Sequence, residues 1–312
     1  MAETLILIDL EGRLYTSDGT ATGTTSVSVN GAYSNGIFGN GEIPDFAVLN
    51  GVAYFAGHDD SHTFGPEGLW SSGGTTATTI EITGINNANT SGGLLDGSAD
   101  LISAFGELLF DGLDSNGIYN LWASNGQASG TSEVAGIGNT YAGGLFDQVA
   151  NPDFTLFDGS VVFEGRDTAG IYGLWVTSNG TTASETSNIS GANSGGIFAA
   201  VGEQGTPDFT VLGNGDLIFS GVDSSGHLNI WVMTSPGAAP TELTGVNGAA
   251  EQGLVGGTDS PPDFTAWDNG AVFQGEAYTG QFVDSHTGQT VYEEQYGYWF
   301  TNGSASGTFE LP

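Results

Sequence analysis

The chain contains no cysteine and no lysine, and its only basic side chains in 312 residues, histidine aside, are Arg13 and Arg166. Without cysteine it has neither a disulfide framework nor a thiol nucleophile. Two basic residues against 36 acidic ones leave a formal net charge of −34. Nucleic acid and anionic membranes are therefore poor partners, because both are gripped through Lys and Arg, whereas cations are favoured. No apolar run approaches the ~18 residues of a membrane-spanning helix, so no membrane span is expected. Residues 1–9 have no basic flank and one short apolar run, Leu5-Ile6-Leu7-Ile8, so no N-terminal signal peptide is read there.

Glycine is what the chain has in excess: 53 residues, beside 11% aromatics and 38% hydrophobics. That mixture suits many short strands joined by tight turns, with little helix. A Pro-Asp-Phe signal recurs at Asp45, Asp100 (as Ala-Asp-Leu), Asp153, Asp208 and Asp263, at intervals of 55, 53, 55 and 55 residues. So regular a period means one architecture built from copies.

Each copy reads as four strands. The first two are separated by Asn50-Gly51, Asp158-Gly159, Asn214-Gly215 or Asn269-Gly270, pairs suited to a two-residue hairpin turn. Second strands carry adjacent apolar residues, such as Val162-Phe163 and Ile218-Phe219, and third strands carry Leu69-Trp70, Leu121-Trp122, Leu174-Trp175, Ile230-Trp231 and Tyr298-Trp299. Neighbouring large side chains on a strand point to opposite faces, so both faces must be covered, as they are for a blade lying between blades. The fourth strand alternates in polarity and reads as an outer edge.

These features predict an all-β protein, a β-propeller of four-stranded blades forming a single domain over residues 1–312. Full units start near 44, 99, 152, 207 and 262. Residues 1–43 supply second, third and fourth strands only, which gives six blades with the first lacking its inner strand; five blades is the alternative.

The segments Arg13-Leu-Tyr-Thr-Ser-Asp-Gly-Thr-Ala-Thr-Gly-Thr24 and Leu174-Trp-Val-Thr-Ser-Asn-Gly-Thr181 resemble bacterial extracellular repeats with the signature Glu-Leu-Trp-x-x-Asp-Gly-Thr-x-x-Gly-Thr. The resemblance covers essentially the whole chain. It implies a β-propeller, commonly carried by large secreted or surface proteins. No copy has the signature Glu before its apolar-aromatic pair, and the turn Asp survives only as Asp18, with Gly73, Asn125, Asn179 and Asn302 at or near that slot. Lack of Lys and Cys in an acidic chain is likewise similar to bacterial extracellular proteins, and the expected location is extracellular or on the cell surface.

Three places could carry chemistry. If inner strands line a channel, Asp45, Asp100, Asp153, Asp208 and Asp263 form an acidic collar that could hold Ca²⁺, a cation that takes six to eight oxygen ligands. The competing reading is that each Asp captures backbone amides nearby and shapes its strand. His58-Asp59-Asp60-Ser61-His62 gathers possible Zn²⁺ ligands, but on a loop, where i,i+4 spacing does not bring side chains together. Residues 275–297 make the last unit more than twice as long there as its equivalents and read as a protruding hairpin. Its Tyr278, Phe282, Tyr292 and Tyr296 suit a partner or glycan contact.

No serine or cysteine triad is visible, and paired-acid glycoside chemistry requires unlike carboxylates in unlike settings, whereas these acids repeat. The expected function is a non-catalytic extracellular binding or structural module for a glycan or partner protein, with Ca²⁺ as the cofactor candidate. The alternatives are a surface or filament protein self-assembling as a homo-oligomer through the open strand position, and a propeller glycosidase or polysaccharide lyase.

Overall fold

The computed structural model describes residues 5–8, 12–33, 36–38, 45–60, 67–90, 93–95, 99–146, 152–199, 207–250, 253–255, 262–283 and 290–312. The protein is all-β, a propeller of six antiparallel sheets, each a meander in chain order. Sheet 1 holds β1 (Leu5–Ile8), β2 (Leu14–Ser17) and β3 (Thr25–Ser26). Sheet 2 holds β4 (Ala47–Leu49), β5 (Val52–His58), β6 (Glu67–Ser72) and β7 (Thr79–Glu81). Sheet 3 holds β8 (Leu101–Ala104), β9 (Glu107–Leu113), β10 (Tyr119–Ser124) and β11 (Thr131–Glu133). Sheet 4 holds β12 (Thr155–Phe157), β13 (Ser160–Arg166), β14 (Tyr172–Thr177) and β15 (Ser184–Glu185). Sheet 5 holds β16 (Thr210–Val211), β17 (Leu217–Val222), β18 (Leu228–Met233) and β19 (Thr241–Glu242). Sheet 6 holds β20 (Thr265–Trp267), β21 (Gly270–Val283), β22 (Thr290–Thr301) and β23 (Phe309–Glu310). Among the described residues sheet 1 has three strands and pairs no inner strand, as the strand count of the first 43 residues implies. Sheets 1–3 belong to one compact unit and sheets 4–6 to a second.

Within each unit one packing rule repeats. The aliphatic residue of a third strand joins the Phe and Trp of the following sheet: Leu14 clusters with Phe55 and Trp70, and Leu69 with Phe110 and Trp122. In the second unit Leu174, Ile230, Phe219, Trp231, Phe273 and Trp299 belong to one cluster. All five third-strand tryptophans are buried to 1% exposure or less, each contributing roughly 5 kcal/mol of gross transfer free energy from ~200 Å². Three satisfy their indole N–H on a second-strand glycine carbonyl: Trp70 on Gly57, Trp122 on Gly112 and Trp231 on Gly221, at 2.9 to 3.0 Å. The glycine there is steric as well: a Cβ on Gly221 would lie 2.8 Å from Trp231 Cδ1.

The hairpin turns follow the sequence in part. Asn50-Gly51 and Asp158-Gly159 have positive φ at both positions, the type I′ condition. In sheet 3 the slot is filled by Phe105-Gly106 (φ 57° and 81°). In sheet 6 the pairing of Trp267 with Gly270 moves the turn to Asp268-Asn269, one residue before the expected Asn269-Gly270.

The outer turns explain the repeated signature. Asp18, Asn125, Asn179 and Asn302 each accept, through Oδ1, the amide two residues on. Asparagine thus does what the signature aspartate does, because only the side-chain carbonyl is used. Gly130 and Gly307 follow because a Cβ at either would fall 2.1 Å from the Oδ1 of Asn125 or Asn302. The closing threonine links back to the third strand: Thr131 to Ser124 at 2.6 Å and Thr308 to Thr301 at 2.7 Å.

Candidate functional site

The inner-strand aspartates sit at a distorted step. Asp153, Asp208 and Asp263 have φ of 55°, 56° and 51°, a left-handed conformation that Asp tolerates better than most residues. The second strand skips the aspartate carbonyl: Glu164, Ser220 and Gln274 donate their N–H to the preceding Pro152, Pro207 and Pro262 at 2.8, 2.8 and 3.0 Å. This bulge turns the carboxylate away from its own strand. Asp153 Oδ2 accepts the Phe209 N–H at 2.6 Å and Asp208 Oδ2 accepts the Phe264 N–H at 2.5 Å, in each case from the sheet that follows, 56 residues on. The amides expected as partners were near in sequence; the observed ones lie one repeat plus one residue away. These carboxylates tie consecutive sheets together.

In the second unit Asp153, Asp208 and Asp263 therefore form a row. Burial pushes the Asp208 carboxyl up to about 6 against the opposing pull of the Phe264 amide, with the negative charge of Asp263 adding to the rise. Glu164, 3% exposed, has an Oε1 without a hydrogen-bond partner among the described residues. Burial holds its carboxyl well above the usual range, and Asp153 adds to the rise. Sheet 3, where Ala99 replaces the proline, differs: the Asp100 amide donates to Asp111 Oδ1 at 2.8 Å, and both residues are buried. Asp45 and Asp263 are exposed. No three His, Asp or Glu side chains among the described residues are arranged to hold a metal ion.

A second set of acids repeats at the other end of the strands. Asp114, Asp167 and Asp223 each accept two amides through Oδ1, from the residues two and four positions on. At Asp114 burial pushes the carboxyl up, but the amides of Ile118, Asn116 and Gly117 and the Asn116 side chain outweigh it, leaving the group below its ordinary range. Near each lies the fourth-strand glutamate of its own sheet. Burial raises Glu133, Glu185 and Glu242, and the charges of Asp114, Asp167 and Asp223 respectively add to the rise. In sheet 2 Glu81 is raised by burial and by Asp59 and Asp60. Asp59 and Glu81 share a surface depression of about 220 Å³, and Glu81 also borders one of about 430 Å³ with Tyr54 and Gln127. The remainder of the histidine-rich loop is structural where described: His58 Nε2 lies 3.2 Å from Glu67 Oε1 on the paired strand, and Ser61 and His62 lie outside the described residues.

Sheet 6 breaks the repeat. Strands β21 and β22 run 14 and 12 residues, where β13 and β14 run seven and six. They stay paired from Ala271–Thr301 to Val283–Thr290, with an irregularity between Tyr278 and Gly280. Tyr278 and Tyr296 are exposed, at 40% and 64%, and register puts them on one face of the sheet. Phe282 and Tyr292 lie on the paired strands, but their side chains lie outside the described residues. The same face carries an apolar surface not foreseen from the sequence: Trp267, Tyr298 and Phe309, exposed at 64%, 62% and 49%.

No protein-family model and no curated protein matches the chain. Solved structures similar to it include a puromycin hydrolase variant complexed with PGG, at 12% identity and TM-score 0.50, covering 98% of this chain and 43% of that one. The GH74 xyloglucanase from Xanthomonas campestris is 13% identical at TM-score 0.48, covering 100% of this chain and 44% of its own. A putative TolB from Agrobacterium tumefaciens is 12% identical at TM-score 0.42, covering 78% and 77%. The chain thus spans less than half the length of the first two, and the likeness is one of fold.

Proposed function

We propose that the protein is a non-catalytic propeller module acting outside the cell or on its surface, and that it works by binding a glycan or partner protein. The observation that carries this reading is the sameness of its acids. Glu81, Glu133, Glu185 and Glu242 are each raised by burial and by aspartate charge of their own sheet, with Glu133 and Glu242 also hydrogen-bonded to Asn120 and Asn229, so the acid pairing recurs from sheet to sheet, whereas a catalytic pair stands apart in surroundings of its own. The element that departs from the repeat is instead the long β21–β22 hairpin, and exposed tyrosines on an extended hairpin are contact residues.

We assign the Asp153–Asp208–Asp263 row a structural role, supported by the two amides it already binds, so chelation of Ca²⁺ is expected to leave binding unchanged. Glycan arrays and soluble polysaccharides, incubated with wild type and with a Tyr278→Ala, Tyr296→Ala variant, test the reading. The expected result is retention without cleavage, weakened at least tenfold in the variant. Release of sugar products, or binding indifferent to both tyrosines, overturns it.

A further inference from the structure

At one position the third strands alternate between an amide side chain and none. Asn120 and Asn229 stand opposite the second-strand glycines Gly112 and Gly221, and Gly68 stands opposite Gly57 in the same register. The fourth-strand glutamates Glu133, Glu242 and Glu81 also share a register, opposite the third-strand tryptophan. In sheets 3 and 5 the carboxamide is a bridge. Its Nδ2 donates to Glu133 Oε1 at 2.8 Å or to Glu242 Oε1 at 2.9 Å, and its Oδ1 accepts the N–H of Leu145 or Leu254 at 3.0 Å.

Sheet 2 keeps both ends of that bridge and omits its middle. Leu94 holds the place of Leu145 and Leu254, since the next residue, Leu95, donates to Glu67 as Phe146 does to Tyr119 and Val255 to Leu228. Leu94 is 4% exposed, and its N–H meets no acceptor among the described residues; a buried N–H in that condition is rare. Over the omitted side chain lies the depression of about 220 Å³, bordered by Gly68, Glu81, Gly93 and Leu94. Its floor is apolar: Leu69, Ile82 and Leu94 belong to one core cluster, and Ile85 and Ala88 pack against it. The Glu81 carboxylate leans over Gly68, 2.5 Å from where a Cβ would stand. As the end of a flexible side chain it can withdraw to the distance that Glu133 keeps from Asn120.

We propose that this depression binds the acetamido group of an N-acetylated amino sugar, which supplies from outside the carboxamide that Asn120 and Asn229 supply from within. The acetamido N–H donates to Glu81, its C=O accepts the Leu94 N–H, and its methyl rests on the apolar floor. The sugar ring takes up the remaining volume, which stays below the ~300 Å³ at which pockets for larger ligands begin. Charge narrows the class further. Asp59 borders the depression, and after burial its charge and that of Asp60 raise the Glu81 carboxyl, so an anionic sugar is repelled and a neutral one is not. A cation would suit the acids but has no use for an N–H donor. Such a site belongs to the binding module proposed above and rests on that reading, for which it names the sugar class.

Protein-observed NMR and calorimetric titration with N-acetylglucosamine, N-acetylgalactosamine, glucose and acetamide test the proposal on wild type, Gly68→Asn and Glu81→Ala. The expected result is an N-acetylated sugar bound at least tenfold more tightly than glucose, with the Leu94 amide resonance among those that move. Gly68→Asn gives sheet 2 the side chain of sheets 3 and 5, so it should abolish binding while the thermal midpoint holds or rises. Glu81→Ala should weaken binding at least tenfold, and it decides the matter if Gly68→Asn folds poorly. Glucose bound as well as the N-acetylated sugars, or binding unchanged in both variants, overturns the proposal; acetamide bound as tightly as the sugars overturns the sugar as its source. N-acetylglucosamine binding that survives the Tyr278→Ala, Tyr296→Ala change supports the depression as a site whatever becomes of the hairpin. A protein that ignores both N-acetylated sugars overturns the site, and leaves the module reading standing where it still retains a polysaccharide free of acetamido groups.

Discussion

Sheet 5 carries two aspartates with opposite responsibilities. Asp223, at the far end of β17, accepts the amides of Ser225 and His227, both within four residues. Asp208, ahead of β16, accepts the amide of Phe264 in the next sheet. The first closes a turn that would exist in an isolated hairpin; the second holds one repeat to another. A repeat protein is stable through its neighbour contacts as much as through its units, so the two residues should fail differently. Asp208→Ala removes the acceptor from the Phe264 N–H and places alanine at φ 56°. At pH 5 these losses add to about 3 kcal/mol, read as a lower denaturant midpoint. A loss as small as that of Asp223→Ala breaks the comparison.

The acidity of Asp208 sharpens it. A carboxyl whose proton is held more tightly in the folded chain contributes stability that is fully present below its unfolded value and is lost as pH rises through its folded value. For Asp208 that window runs from the ordinary 3.8 to about 6, worth up to about 3 kcal/mol by linkage. Glu164 acts in the same direction. Asp114, held low, acts in the opposite one: its contribution is present above its ordinary range and is lost on acidification. Thermal unfolding followed against pH should therefore peak on the acid side of neutral. Asp208→Asn keeps an acceptor and tolerates the left-handed backbone, so it should gain on wild type between pH 4 and pH 8. A parallel course for the two proteins removes Asp208 as the source.

How much of this was legible follows from the reach of each interaction. Leu174-Trp175 and its equivalents announce a strand covered on both faces, and they are so covered, because side-chain alternation is a local property. The turn role of Asp223 is equally local. The partner of Asp208 lies one period plus one residue away, beyond any turn rule, and its left-handed backbone is not written in Pro-Asp-Phe. Tyr298-Trp299 looks like the other apolar-aromatic pairs, yet its tyrosine faces water, where a hydroxyl is tolerated and leucine is not favoured. The tyrosine in place of leucine was the available signal. The third-strand alternation of Gly68, Asn120, Gly173, Asn229 and Gly297 was also in view, but its meaning depends on the fourth-strand glutamates. Asn229 Nδ2 donates to Glu242 Oε1 at 2.9 Å while its Oδ1 accepts the Leu254 N–H at 3.0 Å; Asn120 does the same with Glu133 and Leu145. At Gly173 a Cβ would lie 2.6 Å from Glu185 Oε1, so the carboxylate folds over the strand instead. Asn229→Ala should cost about 2 kcal/mol by orphaning the Leu254 amide. A silent substitution there would show that water replaces the side chain.

The smallest expected effect completes the comparison. Asp223→Ala should cost about 1 kcal/mol, because the freed amides of Ser225 and His227 lie at a surface turn where water reaches them. Asp223→Asn should restore nearly all of it, since one side-chain oxygen serves both amides, as that of Asn179 serves Thr181 and Thr182 at its outer turn. The removed charge carries a second consequence: Glu242, which Asp223 raises after burial, should titrate lower in Asp223→Asn than in wild type. Carboxyl chemical shifts followed through pH titration read that change directly. If Glu242 holds its position while the turn is intact, burial with the opposing Asn229 and His227 sets its acidity, and the repeated acid pairs are neighbours in space without acting on one another.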